Sequence, residues 1–453
     1  MQWRVRETTA FVCSGATRVV AVDLTDASKP PLAFEGPGAC IWNSLLGSGA
    51  QRVTRSDTEV VANVATQFNL AVDQVKDDVS VFLGELESAG LIEQSASVGG
   101  GEPGLSAVDV PWQGLRDGSA GTPMDVGALR HIEGIEIAYA VAHAIGVSNG
   151  IRVLAIKGLV GVWHGLREPR IPSDVDVLVH PADFDRYLAA LGTAGWRSRL
   201  GEFNDFLGRH HSVTVLNEKM PCDIDVHRWW PGFLADPGTA FENLWARSLP
   251  IDLAARQVPA ADQASSILLM ALHSLRSSPD NPRHRDELRY LCTYVDRLGA
   301  DSEDLAGLAH MTGADVALEG VLSCLGVPSA EPGSHLDLEF VRSWRERSHG
   351  RMPAARVWWR HVRGGSLLTW PGRVKTALWP SEELFRAGRN VPPGRTALNE
   401  ARRERLFHGL RTLPAALLAW AGIRTRTVVN DSGIKPREPA GLAPRTPGGR
   451  SGG

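Results

Sequence analysis

Arg170-Ile171-Pro172-Ser173-Asp174-Val175-Asp176-Val177-Leu178-Val179 runs from a polar turn into an apolar strand and sets two carboxylates at the strand's mouth. Side chains alternate along a strand, so Asp174 and Asp176 share one face while Val175, Val177 and Val179 point into the protein. Two like charges that close repel each other, and a cation is the usual reason to hold them together. A hard ion such as Mg²⁺ takes one or two carboxylates and keeps positions for water and substrate phosphates. Such a pair therefore points to phosphoryl or nucleotidyl transfer. A short acidic pair is also common at solvated strand ends, so its neighbours have to decide.

Upstream, Ile151-Arg152-Val153-Leu154-Ala155-Ile156 predicts a buried strand that breaks at Lys157-Gly158, and the apolar spacing from Leu159 to Leu166 predicts a helix. A strand, a glycine and a helix start offer free backbone N–H groups to a phosphate. Downstream, Cys222-Asp223-Ile224-Asp225-Val226-His227 is a second alternating strand with Asp223, Asp225 and His227 on one face. It can supply a third carboxylate. Neighbours on a strand face opposite ways, so at most one of His210 and His211 can face the carboxylates, and His227 is the better candidate beside the acids.

Lys157-Gly158, Arg170, Ser173, Asp174 and Asp176, then Asp225-Val226-His227 with Trp229, resemble the uncharacterised nucleotidyltransferase family of the polymerase-β-like superfamily. The likeness extends through the helix Ile267–His273 and Arg285-Asp286-Glu287-Leu288 to Leu378-Trp379-Pro380-Ser381, roughly residues 126–390. It implies that Asp174, Asp176 and Asp225 hold Mg²⁺ and carry the chemistry. It further implies that Lys157, Gly158, Arg170 and Ser173 bind a nucleoside triphosphate as co-substrate. One departure stands out: active members of the superfamily usually carry Gly-Ser at the phosphate turn, where this chain has Lys157-Gly158-Leu159.

The first ninety residues read differently. Thr9–Cys13 and Arg18–Leu24 flank a Ser14-Gly15 turn and predict a hairpin; Pro31–Glu35 is a third short strand. Helices are expected from Ala39 to Leu46, from a Ser56 or Asp57 cap to Phe68, and from Val72 to Ala89 before Gly90. Phe34-Glu35-Gly36-Pro37-Gly38-Ala39-Cys40-Ile41-Trp42 and Phe82-Leu83 with Leu86 and Gly90-Leu91-Ile92 resemble the PqqD-like leader-peptide recognition fold. That resemblance implies an extended leader peptide added at the sheet edge, against Leu32, Ala33, Phe34 and, on the third helix, Val75 and Val79. A winged helix can also bind DNA, but Asp73, Asp77, Asp78, Glu85 and Glu87 outweigh Lys76 on that helix. A phosphate-tracking surface needs the opposite sign.

The 453 residues carry a net charge of −3, which argues against bulk attraction to DNA or to a membrane. Cys13, Cys40, Cys222, Cys292 and Cys324 are scattered without a C-x-x-C, pointing to a reducing, cytoplasmic setting and away from structural zinc. The N-terminal residues lack a long apolar run, and Leu413–Ile423 is too short to span a membrane. The expected class is α+β: a winged-helix-like domain over 1–95, a flexible linker over 96–125, and a mixed-sheet nucleotidyltransferase core over 126–255. A helical region over 256–430 and a disordered tail over 431–453 follow. The Arg- and Trp-dense stretch 334–381 reads as a packed helical surface rather than a nucleic-acid platform.

Together these expectations describe Mg²⁺-dependent transfer of a nucleoside monophosphate in a peptide-modification pathway. The acceptor would be recruited through a precursor leader peptide, with other peptide-modifying enzymes as further partners. The alternative is a non-catalytic adaptor that binds the leader and scaffolds an enzyme. The Gly- and Pro-containing linker predicts tethering of two independent halves.

Overall fold

A seven-stranded mixed sheet forms the centre of this computed structural model, which describes residues 1–47, 50–95, 111–118, 129–199, 211–276, 282–298, 301–327, 336–338, 341, 344, 371, 375, 378–379, 382, 385 and 394–420. The tail after 420, His210 and most of 334–381 lie outside the described residues.

The N-terminal part comprises β1 (Gln2–Val5), β2 (Thr9–Cys13), β3 (Arg18–Asp23), β4 (Leu32–Glu35), α1 (Pro37–Ser44), β5 (Arg55–Ser56), α2 (Asp57–Phe68), α3 (Val72–Ser88) and β6 (Ile92–Gln94). β2, β3 and β4 pair antiparallel in that order; β5, β1 and β6 form a second small sheet. The expected hairpin and three helices are present, and the Ser56 cap is a full capping box with Glu59. Val75 and Val79, expected to meet a peptide, are 7% and 1% exposed and pack in the domain's own core with Trp42 and Leu83. That corrects the sequence reading, because an amphipathic stripe covers its own core first. Leu32 on β4 stays 42% exposed, while Phe34 packs edge-on to Phe82.

After α4 (Gln113–Gly118) and α5 (His131–Ser148), the core runs β7 (Val153–Ile156), α6 (Gly158–Trp163), β8 (Asp174–Val179), α7 (Phe184–Thr193), β9 (Arg197–Ser198), β10 (Ser212–Leu216) and β11 (Asp223–His227). It continues through α8 (Pro237–Ala246), β12 (Leu249–Leu253) and β13 (Arg256–Ala260). The strand order is β12-β13-β7-β8-β11-β10-β9. β13 joins the sheet, so the core extends past the expected limit at 255. Helices α9 (Gln263–Arg276), α10 (Pro282–Leu298), α11 (Ser302–Thr312) and α12 (Ala314–Cys324) follow, with α13 at Arg395–Trp420. None of the described helices is long and apolar enough to cross a membrane.

α5 explains how the two parts meet. It is mostly apolar, and from His131 to Ala142 it is buried on every side, with Glu133 and Glu136 paired to arginines. One flank lies on the central sheet; the other meets Ala10, Val12, Val20 and Val22 of β2 and β3 in a single core. Each fully buried Val or Ile contributes about 1.5–3 kcal/mol before chain entropy is subtracted. Arg18 (9% side-chain exposure) donates to Glu133 (0%), which also accepts from Ser14. The β12–β13 turn, with Ala254 and Ala255 both left-handed, abuts the edge of β2 through Phe11 N–H to Ala254 O at 2.9 Å. Within the expected linker, α4 is ordered: Trp112 is fully buried and Arg116 pairs with buried Glu136. Loose tethering is therefore not what the chain does; the halves share one core.

Candidate active site

Strand register builds the site. β8 and β11 run parallel with Asp174 opposite Asp223 and Asp176 opposite Asp225, so four carboxylates share one face of two neighbouring strands. β7 is antiparallel to β8 with Ile156 opposite Asp176, which brings the next residue, Lys157, to the same place. β10 lies on the far side of β11 with Thr214 opposite Asp225. The opposite face holds Val175, Val177 and Val179, all buried, as the alternation required.

Asp176 is the hub. Its Oδ1 accepts from Lys157 Nζ at 2.8 Å and from His227 Nε2 at 2.9 Å, and the residue is 2% exposed. Burial alone would raise this carboxyl, but the Lys157 ammonium and His227 hold it well below the usual carboxylate range. Asp174 behaves oppositely. Burial, then the like charge of Asp176, raises its carboxyl above the ordinary value against the pull of Lys157, and Ser173 Oγ donates to it at 3.0 Å. Asp223 is also raised, by burial first, although it pairs with Arg199. Ligand atoms of Asp176, Asp225 and His227 all lie within 4.8 Å of one another, a spacing one cation can bridge.

The turn after β7 is strained in a defined way. Lys157 has φ 55° and Gly158 φ 34°. A Cβ on Gly158 would stand 2.7 Å from Tyr139 Oη, so only glycine fits here. The Lys157 ammonium sits 5.3 Å from the centroid of Trp230 and points into the acid cluster.

Other expected residues land apart. Arg170 donates to Glu287 on α10 at 2.8 Å. Trp229 lies under Arg228, and it is Trp230 that reaches the site, 4.7 Å ring to ring from His227. His211 lies 5.9 Å from the His227 ring. Thr214, which donates to Asp225 Oδ1, and His131 were missed by sequence reasoning. His131 holds the lead-in turns of both acidic strands, with Nε2 2.8 Å from Pro172 O and Nδ1 2.9 Å from Pro221 O. Thr214 could have been found from the alternation of Ser212–Leu216; His131 carries no sequence signal.

Residues 145–311 match the family described as "Uncharacterised nucleotidyltransferase", a narrower span than the expected 126–390 and one that leaves residues 1–95 outside. The match spans less than half of the chain and shows a nucleotidyltransferase-like domain over those residues. Among solved structures, the solution structure of the antibiotic-resistance factor ANT(2'')-Ia aligns at 14% identity with a TM-score of 0.28, covering 41% of this chain and 95% of that one. A likeness at that score adds no argument. No curated protein matches the chain.

Proposed function

We propose that the protein transfers a nucleoside monophosphate from a nucleoside triphosphate to an acceptor in a Mg²⁺-dependent reaction. The observation that carries this is the parallel register of Asp176 with Asp225, with Asp174 on the same face, inside a nucleotidyltransferase-like domain. The donor set suits a divalent ion: Asp176 and Asp225 converge with His227 within 4.8 Å, and Asp174 stands on the same face with its carboxyl raised by burial and then by the like charge of Asp176, which a cation relieves. Asp174, Asp176 and Asp225 would hold it. When bound, Mg²⁺ supplies charge neutralisation for the triphosphate and lowers the pKa of a ligated oxygen.

The chain's own residues do the rest. His227 and Thr214 fix the carboxylates of Asp176 and Asp225. Lys157, held by the strained turn and donating to Asp176 here, would be the group to meet phosphate oxygens with a cation on that carboxylate. Trp230 walls the site from below the ammonium. The exposed edge strand β4 supports recruitment of the acceptor as, or through, an extended peptide laid along Leu32–Phe34. The scattered cysteines support work in the reducing cytoplasm.

The adaptor reading gains from the Lys157–Asp176 pair, which neutralises a buried carboxylate without a metal. The two are separated by supplying each α-phosphate-labelled nucleoside triphosphate with Mg²⁺ and candidate leader-bearing peptides. Label on the acceptor with stoichiometric pyrophosphate supports transfer; peptide binding with no label in any combination supports the adaptor.

A further inference from the structure

Beside the carboxylates lies a second cluster. Three guanidinium groups converge on one oxygen of Glu287: Arg170 at 2.8 Å, Arg283 at 3.4 Å and Arg167 at 3.5 Å. Ser274 Oγ and His284 Nδ1 approach the other oxygen at 3.3 and 3.5 Å. The His273 ring stands 5.2 Å from that of His284. Even leaving Arg283 aside, two guanidinium groups meet one carboxylate. The Nε of Arg167 is buried and has no hydrogen-bond partner among the described residues. Burial, then repulsion from Arg283, holds Arg170 below its ordinary value despite Glu287 and Asp174. Among the described residues the guanidinium groups outnumber the carboxylate they meet, which is the condition for taking up an anion.

The position ties this cluster to the first. Arg170 lies four residues before Asp174. The Arg167 stem packs on α6, 3.2 Å from where a Cβ on Gly161 would sit. The Trp230 indole, 4.7 Å ring to ring from His227 and 6.3 Å from His273, reaches both clusters. The same His273, His284 and Glu287 offer ligand atoms within 4.8 Å, a spacing that would also suit a divalent metal. A dication would add charge to a site already positive, so electrostatics favours the anion.

We propose that Arg167, Arg170 and Arg283, rimmed by His273 and His284, form a phosphate-binding site in which the Glu287 carboxylate competes with the anion for the guanidinium groups. Its ligand is a phosphate group, supplied either by the tail of the nucleoside triphosphate or by a phosphorylated acceptor. This assignment rests on the nucleotidyl-transfer reading for the source of the phosphate, while the site itself stands on its own charge and geometry.

The test uses the full chain with inorganic pyrophosphate and no Mg²⁺, followed by calorimetry. Arg170→Gln weakens binding on the order of tenfold, as loss of a charge-assisted contact does, and exposed Arg283→Gln weakens it a few-fold. Glu287→Gln tightens it. If Glu287→Gln weakens pyrophosphate binding or abolishes binding of Zn²⁺ or Mn²⁺, or if both arginine variants bind as wild type, the proposal is overturned. The source follows from two arms. An Arg283→Gln loss equal for Mg²⁺-nucleotide and pyrophosphate assigns the triphosphate tail; a loss confined to the KM of the acceptor assigns an acceptor phosphate. Pyrophosphate binding with this pattern in a protein that turns over no nucleotide upholds the site and counts against the nucleotidyl-transfer reading alone.

Discussion

Asp174 and Asp176 lie two residues apart and have opposite energetics. Asp176 is buried and holds Lys157 and His227, so Asp176→Asn breaks a buried ion pair and is expected to destabilise the fold by about 3–5 kcal/mol. Asp174 is crowded by like charge, so Asp174→Asn leaves the thermal midpoint of the metal-free protein level or higher. Thermal unfolding of both variants without divalent ions checks this; equal effects would contradict the assigned roles. The sequence showed that the two acids share a face, because period-two alternation is local. It gave no sign that they differ, because the difference comes from Lys157, nineteen residues upstream, and from a strand pairing across fifty residues.

At the scale of elements, strands β8 and β11 and the turn at Lys157-Gly158 were legible, since alternation and a glycine break are short-range signals. α5 was not, because a helix buried on every side loses the periodicity that marks a surface helix. Likewise the stripe of α3 announced burial without saying against what, and Val75 and Val79 turned out to face their own core. The β12–β13 hairpin offers a pH test. Burial, then Glu136, pushes Asp252 on β12 up to about 6, so the folded state holds this proton more tightly than the unfolded chain. Stability from this group is full below the ordinary carboxylate value and lost as pH rises through about 6. Asp252→Asn therefore raises the midpoint at pH 7, and the gain fades between about pH 6 and pH 4. A gain that persists unchanged at pH 3.5 would count against it.

On the scale of the whole molecule, composition marked a linker but not its docking. Ser, Gly and Pro around residues 95–125 describe a chain with few local preferences, whereas Trp112 and Arg116 within it find partners supplied by α6 and α5. The shared core predicts that cutting the chain within 97–104 leaves the halves associated through purification, and that Glu133→Gln, which removes the buried one of the two carboxylates Arg18 meets, costs about 1–3 kcal/mol. Analytical size separation of the nicked protein reads the first; free diffusion of the halves would restore tethering. The central claim, that the carboxylate face holds a metal and a nucleotide, is tested most directly by calorimetric titration of ATP, GTP, CTP and UTP with and without Mg²⁺. Wild type should bind at least one nucleotide only with Mg²⁺, and Asp225→Asn should lose that binding while staying folded. Nucleotide binding that is absent throughout, or that is indifferent to both Mg²⁺ and Asp225, would contradict it.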